Sequence, residues 1–85
     1  MVQSYNGTIY TENEFKTVSS LTNVTFTSGN IYNIWVGNSA QIKVGDYICP
    51  VMNEKFDFKA GSDDLYIKTN YTKCQLSILE NEVSS

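Results

Sequence analysis

Histidine and arginine are both absent from this chain, and proline occurs once, at Pro50. Without histidine there is no side chain that ordinarily titrates near neutral pH, and Ser-His-Asp or Cys-His catalysis is excluded. Without arginine, the planar fork that reads phosphates and base edges bidentately is missing. The six lysines are outnumbered by nine acidic residues, for a net charge of −3. Affinity for nucleic acid rests largely on basic side chains neutralising phosphates, so neither nucleic acid nor a membrane held by a polybasic patch is an expected partner. No run approaches the ~20 apolar residues that span a bilayer, and no apolar stretch follows a basic start, so a secretory leader is not expected. Cysteine is scarce too. Cys49 and Cys74, with no histidine, cannot complete a four-ligand Cys/His site in one copy, and they read as free thiols rather than a disulfide.

What is there is apolar and aromatic enough for a core, at 41% and 13% of residues. Asparagine, serine and threonine lie between the apolar positions rather than in blocks, unlike a disordered chain. Three Asn-x-Thr triplets, at Asn6, Asn23 and Asn70, carry little weight in so Asn- and Thr-rich a chain. The 85 residues are expected to form one domain over 1–85, with loose ends at 1–4 and 81–85.

Short alternating runs separated by turn residues dominate. "YNGTIYT" (5–11) reads as a strand, bulged or bent at Gly7. "TENEFKTVSSL" (11–21) reads as a connection with one helical turn. "NVTFT" (23–27) alternates, with Val24 and Phe26 inward, and "IYNIWVG" follows after a turn at 28–30. "GNSA" (37–40) is expected to turn the chain into "QIKV", and "GD" (45–46) to form a second tight turn or a bulge. "YICPVM" (47–52) must lie at an edge or break at Pro50, which cannot donate to a ladder. The segments 54–59 and 65–69 look like a hairpin pair around "AGSDD", and "KCQLSILE" closes the chain with Cys74, Leu76 and Ile78 in phase. The expected core is Ile9, Val24, Phe26, Tyr32, Ile34, Val36, Ile42, Val44, Phe56, Phe58, Leu65, Ile67, Leu76 and Ile78. Seven to eight short strands at this spacing predict an all-β antiparallel sandwich or small barrel.

Candidate chemistry is sparse. Asp63 and Asp64 fall short of the six to eight oxygens Ca²⁺ takes and read as a solvated turn. Paired catalytic carboxylates need one in an apolar setting, and Glu12, Glu14, Glu54, Glu80 and Glu82 all lie in polar or terminal stretches. Cys49, between Ile48 and Pro50, lacks the positive neighbour that would make it a reactive thiolate. The chain is therefore read as a non-enzyme with no cofactor, no metal site and no catalytic residue.

The remaining signal is aromatic. If Tyr32, Ile34 and Val36 face the core, Trp35 shares the other face with Ile31 and Asn33. An indole with an isoleucine four residues away is the start of an apolar patch, and such patches tend to mark contact sites. Trp35, Ile31 and Tyr66 are the candidate interface or ligand residues. An exposed Trp also stacks on sugars, so a carbohydrate-binding or host-recognition module is the alternative.

The C-terminal half, "KVGDYICPVMNEKFDFKAGSDDLYIKT" running into "CQLSILE", resembles small accessory virion proteins of tailed bacteriophages, of the head-decoration, head-fibre or tail-attachment type. The Asn/Ile/Lys/Tyr-rich, arginine-free composition is similar to that of proteins translated from AT-rich genomes. The resemblance implies a jelly-roll-like sandwich and a structural role with capsid or tail proteins as partners. It also implies self-assembly as a trimer or larger ring, and a place in the virion after assembly in the bacterial host cytoplasm.

Overall fold

A computed structural model of the chain describes residues 3–70 and 72–81. Of the described residues, 62% are in strands and 6% in helix. The elements are β1 (Ser4–Ile9), β2 (Lys16–Thr17), α1 (Val18–Thr22), β3 (Ile31–Val44), β4 (Tyr47–Lys59), β5 (Leu65–Thr69) and β6 (Cys74–Asn81). All strands belong to one antiparallel sheet, ordered β1-β6-β3-β5-β2 with β4 on the remaining edge of β3, and the sheet is curled into a half-barrel. The expectation of a sandwich with seven to eight short strands is met only as an antiparallel all-β fold. Strands expected to be separate are fused, so six suffice.

The fusion occurs at two points. "GNSA" does not reverse the chain. β3 runs through it with a bulge, where Gly37 and Asn38 face Asn53 between the pairs Val36–Glu54 and Ser39–Met52. Asn38 (φ 66°) and Asn53 (φ 48°) both adopt the left-handed region, which asparagine tolerates better than most residues. Asn38 N–H donates to Asn53 Oδ1 at 3.0 Å, and Asn38 Nδ2 donates to the Lys73 carbonyl at 2.9 Å. β4 is likewise continuous through Pro50. It is an edge strand, as proline requires, because it pairs only with β3.

β4 and β5 do not pair with each other, contrary to the expected hairpin, because β3 lies between them. β5 and β6 instead follow one another along a single edge of β3, opposite 40–44 and 31–36 respectively. β2 and β1 follow one another along their outer side. The six strands thus form four long ribbons that all bend beside the bulge. The bend is enforced by reach. Lys59 lies opposite Ile31 and Leu65 opposite Val44. A straight strand from Ile31 to Val44 would span roughly 43 Å, whereas the chain from Lys59 to Leu65 reaches at most about 22 Å. β3 must fold back toward itself.

The inner face holds the core. Eleven of the expected core positions are buried, while Phe26, Val44 and Phe56 pack against it half-buried. Val18, Ala40, Val51, Ala60 and Cys74 join them. The segment 23–30 is not a strand. It crosses the inner face, with Val24 buried and Phe26 edge-on to Tyr32 (4.7 Å between centroids) and Phe58 (5.4 Å). The single helical turn forms as expected, ending at Asn23 (φ 61°), whose N–H bonds the Ser19 carbonyl. Of the ends expected to be loose, Gln3, Ser4 and Asn81 are described and are held by the sheet. The others lie outside the described residues.

Candidate functional site

The outer face of the half formed by β1, β6, β3 and β4 reads off the register as rows across the sheet. One row is Ser4, Leu79, Asn33, Asp57. The next is Asn6, Ser77, Trp35, Lys55. Ile31, Asn81 and Lys59 lie above them, and Thr8, Gln75 and Gly37 below. Trp35 therefore stands mid-sheet, opposite the core, as the alternation predicts.

Its indole does not project. A Cβ placed on Gly37 would lie 2.6 Å from Trp35 Cη2 and 2.8 Å from Cζ3, so the benzo ring rests on the glycine two residues along the same face. Gly37 is buried by it and Trp35 is itself half-buried. The same device recurs on β1, where a Cβ on Gly7 would lie 2.6 Å from Tyr5 Oη. Glycine weakens a strand because it has no side chain to pack, and an aromatic laid across it restores cover. Gly7 consequently causes no bulge, and β1 keeps register with β6 from Ser4 to Ile9.

Beside the indole is a depression of about 220 Å³ lined by Asn33, Trp35, Lys55, Ser77 and Leu79. Leu79 is 50% exposed. Above it the side chains form a row of hydrogen bonds, Asn81 Nδ2 to Asn33 Oδ1 and Asn33 Nδ2 to Asp57 Oδ1. Ser77 Oγ donates to Asn6 Oδ1 at 3.0 Å. The result is an open surface with an indole and a leucine at its centre and amide, hydroxyl, ammonium and carboxylate groups around them. It can bind by contact and hydrogen bonding.

Ile31 shares this face, half-buried at its upper margin. Tyr66 does not. It lies past the bend on β5, under the Lys43 ammonium at 5.8 Å, and that ammonium is 5.7 Å from the Phe15 ring. Lys68 lies over Phe15 at 5.2 Å. Tyr66 belongs to this lysine–aromatic stack and is separate from Trp35.

Glu80, contrary to the expectation of a polar setting, lies on the inner face. It is 6% exposed because it extends the inward phase of Cys74, Leu76 and Ile78, a signal present in the sequence. Its Oε1 accepts the Gln3 N–H at 2.9 Å. Its Oε2 accepts Asn30 Nδ2 at 2.9 Å and lies 2.9 Å from Tyr32 Oη. Tyr32 Oη also accepts the Thr27 N–H at 2.6 Å and lies 3.1 Å from the Thr25 carbonyl. The amide of Asn30, the Gln3 main chain and the Tyr32 hydroxyl hold the carboxyl below the usual glutamate range, against the effect of burial. Every acceptor here is engaged by the chain itself, so the cluster latches the 23–30 segment and Gln3 to the sheet and leaves no group to act on a substrate.

Among the described residues, no three His, Cys, Asp or Glu side chains converge as metal ligands, and no buried side-chain polar atom lacks a partner. Cys49 and Cys74 are unpaired thiols, half-buried and buried respectively. No protein-family model, curated protein or solved structure matches the chain.

Proposed function

We propose that this chain is a non-enzymatic contact module, an accessory component of a tailed-phage particle that binds a capsid or tail protein through the Trp35 face. The observation that carries the reading is the placement of Trp35 diagonally across from the exposed Leu79, both lining one depression in the middle of an otherwise polar sheet face. Buried aromatic anchors with a polar surround are the pattern of residues that dominate interfaces. The half-barrel serves such a role as well as the expected jelly roll, since both present a solvent-facing sheet. The test is to produce the tagged chain during growth of the phage that encodes it and to band the particles by density. The chain should travel with the particles, and Leu79→Lys, which leaves the core untouched, should release it. A chain that stays in the soluble fraction overturns the proposal.

A specific observation favours a second reading. The benzo ring of Trp35 lies over Gly37, and Trp35 lines one depression together with Asn33, Lys55 and Ser77. That is a platform on which the apolar face of a sugar ring can stack while its hydroxyls meet amide and ammonium groups. A glycan array with Trp35→Ala as control decides it. Glycan binding that the variant loses, with no particle association, makes this the function.

A further inference from the structure

The two long edges of the sheet differ in what they offer to another strand, and the difference is built from particular residues. On β4, Gly45 (φ 60°) and Asp46 form a two-residue turn between the paired Val44 and Tyr47, and such a turn closes on a hydrogen-bonded pair. Counting from it, Ile48, Pro50 and Met52 turn their main chains away from β3, toward the open edge. Pro50 has no N–H to give. The Met52 N–H is already taken by the Glu54 carboxylate of the same strand, at 3.2 Å. Beyond the bulge the outward positions are Lys55, Asp57 and Lys59, charges of the kind that keep edges from pairing.

β1 carries none of these guards. The Glu80 N–H bonds the Gln3 carbonyl, so odd residues of β1 face β6, and Ser4, Asn6 and Thr8 turn both N–H and C=O outward. No residue from 4 to 11 is charged and none is proline. The strand is unbulged, its one glycine is covered by Tyr5, and among the described residues it has no partner on that side.

We infer that β1 is a self-association edge, and that two copies of this chain pair β1 against β1 in antiparallel fashion about a two-fold axis at Asn6. In that register Asn6 faces Asn6 of the second copy and Ser4 faces its Thr8, so the outward groups of each copy meet those of the other in about six main-chain hydrogen bonds. Across the junction Ser4, Asn6 and Thr8 meet on the outer face, while on the inner face Tyr5 lies opposite Gly7 and Gln3 opposite Ile9; none is charged, so a chain of net charge −3 meets no like charge at the seam. The occupant is a second copy because the edge is complementary to itself and bears no charge that would select a foreign strand. The pairing joins the two sheets into one through the β1 main chain at the margin of the outer face and uses neither Trp35 nor Leu79, so its success or failure does not decide the proposed function.

Sedimentation equilibrium tests it. The 9.6 kDa chain should sediment as a dimer, and Asn6→Lys, which sets two ammonium groups against each other on the axis, should sediment as a monomer with unchanged β circular dichroism. Trp35→Ala should remain a dimer. Should Asn6→Lys fail to fold, crosslinking decides. In a Cys49→Ser background, Asn6→Cys should form a covalent dimer under mild oxidation, since facing Cα atoms at ~5.5 Å suit a disulfide, while Ser4→Cys, off the axis, should not. A wild-type monomer at ~100 µM, weaker than even a modest Kd allows, or equal crosslinking at both positions, overturns the inference.

Discussion

Thr11 and Thr69 satisfy each other's main chains. The Thr11 N–H donates to Thr69 Oγ1 at 2.9 Å, the Thr69 N–H donates to Thr11 Oγ1 at 2.8 Å, and the two hydroxyl oxygens lie 3.2 Å apart. Both residues are fully buried. They sit where the ribbons bend, just past the last β1 pair and at the end of β5. Two threonine hydroxyls therefore stand in for the ladder where the ladder is interrupted.

Thr69→Val keeps the shape but leaves the Thr11 N–H buried without an acceptor. An orphaned buried donor costs about 1–3 kcal/mol, and denaturant unfolding should show a loss of that size with an unchanged slope. A loss below ~0.5 kcal/mol, the scale of ordinary surface changes, would mean that water reaches the bend.

Gly37→Ala places a methyl group where the indole lies, and the ring must lift from the sheet. Trp35 is the only tryptophan, so its emission reports this directly. The emission maximum should move to the red in Gly37→Ala. An unshifted spectrum would show that the ring does not rest on Gly37.

Glu80 makes stability depend on acid. Its folded-state pKa is depressed, chiefly by the Asn30 amide and the Gln3 N–H, below the ordinary glutamate value of about 4.3. The stabilisation is complete above that ordinary value and is lost as pH falls through the lower folded-state value. Glu80→Gln should melt below the wild type at pH 7, and the two curves should converge in acid as the wild-type carboxyl takes up its proton. A constant gap across the range would assign the effect to packing alone.

The two thiols should separate kinetically. Burial pushes the Cys74 thiol up, and its S–H reaches the Ser39 carbonyl at 3.3 Å, whereas Cys49 is only half-buried. A thiol-specific reagent should label Cys49 first and Cys74 at the rate of unfolding. Equal rates would place Cys74 at the surface.

Much of this was legible in the alternation. The faces of 31–36, the phase of Cys74, Leu76 and Ile78, the edge position of Pro50 and the turn at Gly45–Asp46 all follow from local chemistry. What was not legible is which strand pairs with which. "GNSA" carries residues that serve a reversal and a bulge equally well, and only the Asn53 partner on a distant strand decides between them. "NVTFT" has the period of a strand, but its main chain at Thr25 meets the side chain of Gln3 at 2.7 and 2.8 Å rather than a ladder. At the candidate site, the alternation alone puts Trp35 and Ile31 on the outer face they occupy. Leu79 and the amide row were invisible because cross-strand register brings them there. Glu80 was visible as a continuation of its strand's phase, but its carboxylate disguised it.

The connection at 60–64 is a string drawn across a bow. It holds the far ends of β3 closer than the strand's own length would allow, and Ala60 is pinned at one end by hydrogen bonds to Gly29 and Asn30. Curvature in this molecule is thus a property of tether length as much as of the bulge. Lengthening a surface loop by a few residues ordinarily costs only tenths of a kcal/mol in closure entropy. Here the same insertion would slacken the string, and the arc of the Trp35 face, which follows β3, would flatten with it.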